Sequence, residues 1–176
     1  MNQDVILVNL HDEPVGTATK EEAHRRGDLH RAFSVFLYHE DRLLIQQRAF
    51  HKYHSGGLWA NACCSHPRPG ETLEDAVRRR LKEEAGIECE VKEIFSFVYK
   101  HRFAEDLYEH EYDHVFLGEY CGDPVPNPEE IEAFRWISFG DLKRELAEDP
   151  ENFAPWFVIA APRVLECMEV LGEGCF

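Results

Sequence analysis

Residues 71–86, ETLEDAVRRRLKEEAG, form the most diagnostic segment of the chain. Apolar residues recur in this segment at steps of three and four, and charged residues fill most of the other positions. The apolar positions are Leu73, Ala76, Val77, Leu81 and Ala85. This spacing predicts an amphipathic helix over residues 71–85, and Gly86 is a typical residue for its end.

A cysteine-containing segment lies shortly before this helix. Residues 61–67 read NACCSHP, so two cysteines and a histidine precede the acidic helix within one short stretch. A single free cysteine is most often a small buried apolar residue. A thiol, an imidazole and a carboxylate-rich helix together indicate a reactive or metal-binding site. From spacing alone, Cys63 and Cys64 are nearly equal candidates for the reactive thiol.

Length and charge bound the class of protein. The 176 residues fit one domain of ordinary size, and the formal net charge is −15. This charge argues against nucleic acid or an anionic membrane as a general partner, because both attract clustered Lys and Arg. The sequence has neither a membrane-spanning apolar run nor a secretory start, so we expect a soluble cytoplasmic protein. In that compartment the six cysteines are expected to be thiols.

Strand and helix patterns alternate along the chain. We expect strands at residues 5–8, 32–38, 42–48, 91–99, 109–119 and 134–137. We expect helices at residues 20–26, 71–85, 139–146 and 155–171. Residues 49–70 show little periodicity and are predicted to form a long loop, and such loops in compact domains are usually functional. On the strand at 109–119, alternation puts Glu109, Glu111 and Asp113 on one face.

The segment that ends at Ile87 resembles the signature of the Nudix superfamily. That signature is Gly, five residues, Glu, seven residues, Arg-Glu, an apolar residue, any residue, Glu-Glu, any residue, Gly and an apolar residue. The matching positions are Glu71, Arg79, Glu83, Glu84, Gly86 and Ile87. Ser65 stands at the first Gly, and Arg80 replaces the Glu after the Arg. The resemblance implies an α/β fold, a Nudix-type α/β/α sandwich around a mixed β-sheet. Arg80 argues against ordinary diphosphate hydrolysis, because Nudix hydrolases use that helix to hold catalytic magnesium.

The same departures, together with Cys64 and His66, resemble the type I isopentenyl-diphosphate delta-isomerases, a Nudix family that shifts a double bond. The positions in family order span nearly the whole chain. They are Lys20, His24, His30, Arg48, Lys52, residues 63–67, Glu84, Tyr99, residues 109–111, Pro155 and Trp156. The resemblance implies isomerisation of isopentenyl diphosphate to dimethylallyl diphosphate in isoprenoid biosynthesis. It also implies a single domain over residues 1–176, with the N-terminal segment covering the active site.

Three histidines and two carboxylates occupy the positions of the family's metal site. These positions are His24, His30, His66, Glu109 and Glu111. Nitrogen and oxygen donors of this kind suit Mn²⁺, Zn²⁺ or Mg²⁺. From the residues alone, His24 and His30 do not share a helical face, so a loop through Gly27 must bring them together. Any one of these histidines alone is more often a surface residue, but the set of five favours metal binding.

Double-bond migration requires protonation at one carbon and deprotonation at another, through a species close to a tertiary carbocation. The resemblance implies that Cys64 and Glu111 act on opposite faces of the substrate, with Tyr99 hydrogen-bonded nearby. The resemblance implies that Cys63, in contrast, is a packing residue. It also implies that Trp156 turns its electron-rich face toward the cation. From sequence alone, the preferred interpretation of Trp156 is an ordinary core aromatic.

The diphosphate of the substrate requires positive charge in an acidic protein. The basic positions that match the family are Lys20, Arg48, Lys52 and Arg80. Glu84 would hold a Mg²⁺ ion that bridges to the phosphate oxygens. Each basic residue alone is more often a solvated surface charge. Arg80 is the most informative, because it turns a metal-binding position into an anion-binding one, and its planar fork suits phosphate oxygens.

Two other functions remain open from the sequence. The retained Glu83-Glu84 pair is compatible with a Nudix hydrolase of a nucleoside or isoprenoid diphosphate. A catalytically silent module that binds a metal or a diphosphate is a third interpretation, which the presence of both proton-transfer residues makes weaker. We expect the partner to be a small isoprenoid diphosphate, and the protein to be a monomer or a weak dimer.

Overall fold

The computed structural model describes residues 3–173 and contains nine strands, four α-helices and one short 3₁₀ helix. The strands are β1 (Asp4–Val8), β2 (Pro14–Thr19), β3 (His30–His39), β4 (Arg42–Arg48), β5 (Trp59–Asn61), β6 (Cys63–Ser65), β7 (Lys92–Ala104), β8 (Leu107–Glu119) and β9 (Ile131–Ser138). The helices are α1 (Lys20–Arg26), α2 (Leu73–Ala85), α3 (Phe139–Glu148) and α4 (Pro155–Glu173), with the 3₁₀ turn at Pro150–Asn152. None of the helices between residues 3 and 173 has the length and apolar content that a membrane span requires.

The nine strands form one mixed sheet with β3 at its centre. Strand β3 pairs in parallel with β8, from His30 opposite Glu111 to Tyr38 opposite Glu119. It pairs antiparallel with β1, β4 and β6. The parallel pairing brings the first residue of β3 beside the carboxylates of β8, which positions one end of the sheet for the site described below.

Helices cover both faces of the sheet. Side chains alternate along β3, so that Phe33, Val35 and Leu37 pack with the apolar side of α2. Phe36 points to the other face, where its ring stacks on Phe157 of α4 with centroids 5.8 Å apart. This arrangement confirms the predicted α/β/α sandwich around a mixed sheet.

Helix α2 confirms the prediction made from residues 71–86, with a start two residues later. Thr72 is the N-cap, and its side chain accepts a hydrogen bond from the backbone N–H of Asp75. The helix ends at Gly86, whose φ of 64° lies in the left-handed region that glycine adopts without strain. The backbone N–H of Gly86 donates to the carbonyls of Leu81 and Lys82, which closes the last turn.

Three features differ from the sequence expectations. Strand β2 was not predicted, and the hairpin of β7 and β8 reaches further than expected at its turn, between residues 104 and 107. The prediction of a continuous loop over residues 49–70 is wrong, because that segment contains β5 and β6. These three-residue strands depend on partners elsewhere in the chain, since Asn61 pairs with Ile45 and Cys64 with Ser34.

Candidate active site

A small polar cavity of about 80 Å³ brings together most of the residues singled out in the sequence. Those that line it are Lys20, Arg48, Lys52, Cys64, His66, Arg80, Glu84, Glu109, Glu111 and Trp156. His24, His30 and Tyr99 lie directly behind this wall through contacts with its carboxylates. The structure therefore gathers all the predicted site residues from five strands, three helices and two loops into one place.

Four potential metal ligands converge at one side of the cavity. The ligand atoms of His24, His30, His66 and Glu111 all lie within 4.8 Å of one another. Gly27, at a φ of 73°, ends α1 and turns the chain back toward His30, as the sequence required. The Nε2 atoms of His24 and His30 are buried without a hydrogen-bond partner. Buried imidazole nitrogens left free in this way, next to a carboxylate, fit a divalent metal ion.

Glu109 does not join this group of four. It forms an overlapping group with His24 and with His54, a residue that was not predicted from the sequence. Its Oε1 atom lies 3.0 Å from His54 Nε2 and 3.9 Å from His24 Nε2. The five predicted ligands thus divide into a cluster of four and an adjoining carboxylate.

Three of the four ligands in the cluster have the charge states that a metal site needs. Burial lowers the pKa of His24 to about 3, and it also lowers the pKa of His66. Burial opposes ionisation of Glu111, but the His30 and His66 imidazoles outweigh it and hold the pKa of Glu111 well below its usual range. Neutral imidazole and ionised carboxylate are the forms that bind metal ions, and His24, His66 and Glu111 have them near neutral pH. Burial disfavours protonation of His30, but the hydrogen bond and charge of Glu111 outweigh it and raise the pKa of His30, so a metal ion would have to displace a proton there.

Tyr99 links the two carboxylates of β8. Its buried hydroxyl is within hydrogen-bond reach of Glu109 Oε2, in a very short contact, and lies 3.3 Å from Glu111 Oε2. Burial, followed by the charges of Glu109 and Glu111, raises the pKa of Tyr99 well above its usual value. The tyrosine therefore keeps its proton and serves as a donor to this pair.

The two adjacent cysteines have different surroundings. Cys64 lines the cavity, with its Sγ atom 4.0 Å from Nη1 of Arg48, whereas Cys63 Sγ lies 3.4 Å from Glu84 Oε2 beneath α2. Burial is the main cause that raises the pKa of Cys64, to about 12. Cys64 is therefore a neutral thiol that retains its proton at neutral pH.

Trp156 belongs both to the core and to the cavity wall. It is 3% exposed, and its indole Nε1–H donates to Asn61 Oδ1 over 3.1 Å. The guanidinium carbon of Arg48 lies 5.0 Å from the centroid of its ring system. The face of Trp156 thus already takes part in a cation–π contact.

Two of the four basic residues that line the cavity, Lys52 and Arg80, form ion pairs with carboxylates. Arg80 is in close contact with Glu84, and its Nη1 lies 2.7 Å from Oε2 of Glu83. Glu130, which was not predicted, is in close contact with Lys52 and 3.4 Å from Nη2 of Arg80. In an acidic chain nothing in the sequence separates Glu130 from its neighbours, so only the fold identifies it.

His54 is the other site residue that was not predicted from the sequence. The available signal was a second histidine in HKYH, residues 51–54, within the segment predicted to be functional. The contact that distinguishes it is with Glu109, which lies 55 positions further along the chain. No local pattern could have indicated that pairing.

Comparison with known proteins gives close relatives over almost the whole chain. The NUDIX domain family matches residues 28–157. Isopentenyl-diphosphate Delta-isomerase 2 of Aromatoleum aromaticum is 49% identical over 175 residues, covering 99% of this chain and 93% of that protein. Isopentenyl-diphosphate Delta-isomerase of Burkholderia multivorans is 49% identical over 158 residues, covering 89% of this chain and 90% of its own.

Solved structures share the fold at lower identity. DR0079 from Deinococcus radiodurans superimposes with a TM-score of 0.70 at 25% identity, covering 84% of this chain and 90% of that one. The MutT protein from Methanosarcina mazei Go1 gives a TM-score of 0.62 at 19% identity, with coverage of 77% and 91%. At this identity the second likeness concerns the fold alone.

Proposed function

Because the chain belongs to the NUDIX domain family and, within it, to the isopentenyl-diphosphate Delta-isomerases, we propose that it converts isopentenyl diphosphate to dimethylallyl diphosphate in isoprenoid biosynthesis. The observation that carries this proposal is the position of Cys64 and Glu111. Both line the same cavity, although they come from separate strands, β6 and β8. One is a protonated thiol and the other an ionised carboxylate, which are the two partners that a proton shift needs.

The proposed reaction moves one proton onto the substrate and removes another. Cys64 Sγ–H donates a proton to the terminal alkene carbon, and the pair of electrons of the double bond forms the new C–H bond. The tertiary cation that results loses a proton from the carbon next to the diphosphate-bearing carbon to a Glu111 oxygen, which forms the new double bond. General acid and base groups placed in this way typically contribute a factor of roughly 10² to 10⁴ each.

Trp156 stabilises the cation in this proposal. Its indole face is held rigidly by the hydrogen bond to Asn61 and is already in contact with the Arg48 guanidinium. An aromatic face stabilises a desolvated cation by about 2 kcal/mol. Arg48 turns toward the diphosphate when the substrate binds, which leaves the indole face to the hydrocarbon part.

Divalent metal ions complete the proposed site. His24, His30, His66, Glu109 and Glu111 would hold Mn²⁺, Zn²⁺ or Mg²⁺, and Glu84 would hold a Mg²⁺ ion. When bound, the first ion supplies a fixed positive charge beside Glu111, and the second neutralises the diphosphate. Lys20, Arg48, Lys52 and Arg80 bind the diphosphate oxygens. Glu84 and Glu130, which contact Arg80 and Lys52, act as counterions that the anionic substrate replaces.

The N-terminal segment covers the site in this proposal. Gln3 and Lys20 line the cavity, and His24 of α1 lies behind its wall. This cover keeps water from the cation, which water would otherwise quench. We further propose that residues 1–176 act as one domain in the cytoplasm, as a monomer or weak dimer. The five cysteines within residues 3–173 are free thiols, as expected in a reducing compartment.

A single incubation separates this function from diphosphate hydrolysis. Purified protein, isopentenyl diphosphate and Mg²⁺ with Mn²⁺ are incubated, and the products are resolved by chromatography while free phosphate and diphosphate are measured. Dimethylallyl diphosphate without phosphate release supports the proposal. Phosphate or diphosphate release without the dimethylallyl product contradicts it and supports a hydrolase. Binding of the substrate without any product supports the silent binding module.

A further inference from the structure

We propose that His54 is a positioning residue of the metal site, which holds the Glu109 carboxylate in place through a hydrogen bond. This inference rests on the proposed metal-dependent function and adds a residue to it. His54 is buried, and its Nε2 atom lies 3.0 Å from Glu109 Oε1. Neither the four-ligand cluster nor the predicted set of ligands contains it.

The ring of His54 is held in one orientation by its neighbours. It stacks on Phe103 with centroids 4.4 Å apart, and it meets the edge of Tyr53 at 4.6 Å. Its Nδ1 atom lies 3.3 Å from the hydroxyl of Ser55. If this hydroxyl donates to Nδ1, the neutral ring carries its proton on Nε2, which then donates to Glu109.

Both carboxylate oxygens of Glu109 are consequently in contact with a hydrogen-bond donor. The Tyr99 hydroxyl contacts Oε2, and His54 contacts Oε1. A carboxylate oxygen has two lone pairs, so each oxygen of Glu109 keeps one for a metal ion. Outer groups of this kind orient metal ligands, and their loss typically lowers metal affinity by roughly 10- to 100-fold.

A positioning role fits the contacts of His54 better than direct ligation. The Nε2 atoms of His24 and His30 are buried and lack a hydrogen-bond partner, as expected for atoms that await a metal ion. His54 Nε2 faces Glu109 Oε1 at 3.0 Å and lies outside the four-ligand cluster, whereas His66, whose Nε2 also lies 3.0 Å from a carboxylate oxygen, belongs to it. A second metal ion bound by His24, His54 and Glu109 would have to share His24 with the first ion. His24 can offer only its Nε2 atom, because its Nδ1 lies 2.6 Å from the Tyr53 hydroxyl.

The test measures metal affinity rather than catalysis. Metal-free wild type, His54→Ala and His54→Gln are titrated with Mn²⁺ and Co²⁺ against a chromophoric chelator. His54→Ala is expected to bind roughly 10- to 100-fold more weakly. His54→Gln is expected to recover most of that loss, because its amide N–H can reach Glu109 in the same way. The matched control is His51→Ala in the same loop, whose exposed side chain contacts the backbone oxygen of Glu129 and should bind as wild type does.

Two further measurements keep the outcomes distinct. Thermal unfolding of the metal-free variants identifies any loss of affinity that comes from misfolding, and His54→Gln serves as the test variant if His54→Ala does not fold. In the Co²⁺ form labelled with ¹⁵N-histidine, three directly coordinated imidazoles are expected both with and without His54.

Equal affinity of wild type and both folded His54 variants would overturn the role of His54 while leaving the metal site intact. Four coordinated imidazoles in wild type, falling to three in His54→Ala without recovery in His54→Gln, would also overturn it, because His54 would then be a ligand. A wild type that binds no divalent metal would overturn the proposed metal site itself.

Discussion

Cys63 and Cys64 are neighbours in the chain but lie on opposite faces of strand β6. Cys63 is fully buried in the apolar cluster under helix α2, and Cys64 opens onto the polar cavity. The strand pairs antiparallel with β3, where Val35 and Ser34 oppose the two cysteines. Because successive side chains of a strand point to opposite faces, the pairing assigns one thiol to the core and one to the site.

Replacement of the two cysteines should therefore have unequal effects. Cys64→Ala should lower kcat by roughly 10² to 10⁴, since it removes the proposed general acid. Cys63→Ala should retain most of the isomerase activity and cost on the order of 1 kcal/mol in unfolding free energy. Steady-state kinetics and chemical denaturation of both variants provide the measurement. Similar losses of kcat in both would refute the assignment of Cys64.

The pH dependence of alkylation should distinguish Cys64 from an exposed thiol. Its pKa of about 12, raised mainly by burial, leaves about one thiolate in ten thousand molecules at pH 8. Raising the pH increases the thiolate fraction, so the rate at Cys64 should climb about tenfold per pH unit from pH 7 to 10 without a plateau. Exposed Cys121 should react first. Mass spectrometry of each peptide after iodoacetamide treatment gives the rates, and a plateau at Cys64 near pH 7 would be inconsistent with a protonated acid.

Arg80 and Arg78 form a matched pair on the same helix. Arg80 faces Glu84 and Glu130 at the cavity, whereas Arg78 is exposed and contacts Asp75. Arg80→Ala should raise KM for isopentenyl diphosphate roughly 10- to 100-fold, because a hydrogen bond to a charged group contributes about 1.5 to 3 kcal/mol. Arg78→Ala should leave KM within about twofold of wild type. If both variants show the same KM, Arg80 does not contact the diphosphate.

Removal of divalent metal should reduce both activity and stability. Chelation should leave the Nε2 atoms of His24 and His30 without a partner, and addition of Mn²⁺ at about 100 times Kd should raise the unfolding midpoint by roughly 5–10 °C. His30→Ala should lose most of this shift, and the exposed His11→Ala should keep it. Scanning calorimetry with and without Mn²⁺ measures the shift, and an identical midpoint in wild type under both conditions would rule out this metal site.

Much of the fold was predictable because its signals are local. The amphipathic pattern from Leu73 to Ala85 identified α2, and alternation on β8 correctly placed Glu109 and Glu111 on one face. The two short strands β5 and β6 were not predictable, since three residues carry no periodicity and their stability comes from pairing with β4 and β3. Local sequence patterns therefore predict the longer helices and strands, whereas the short strands depend on pairing with distant parts of the chain.

The site residues also divide into those that could be predicted from the sequence and those that could not. Family resemblance pointed to residues that the fold does gather around one cavity, including Trp156, which spacing alone would have assigned to the core. His54 and Glu130 were not predicted because the contacts that place them in the site are with residues far along the chain. These residues are Glu109 for His54 and Arg80 for Glu130. A histidine or a glutamate in a loop has no distinctive sequence context, whereas its charge partner in three dimensions does identify it.

Isotope incorporation tests most directly whether Cys64 and Glu111 move protons on an isoprenoid diphosphate. Wild-type protein with its metals is incubated with isopentenyl diphosphate in heavy water, and the product is analysed by NMR and mass spectrometry. We expect dimethylallyl diphosphate that carries deuterium in a methyl group, and loss of both the product and the label in Cys64→Ala. Unchanged isopentenyl diphosphate without deuterium after incubation with the metal-loaded wild type would contradict it.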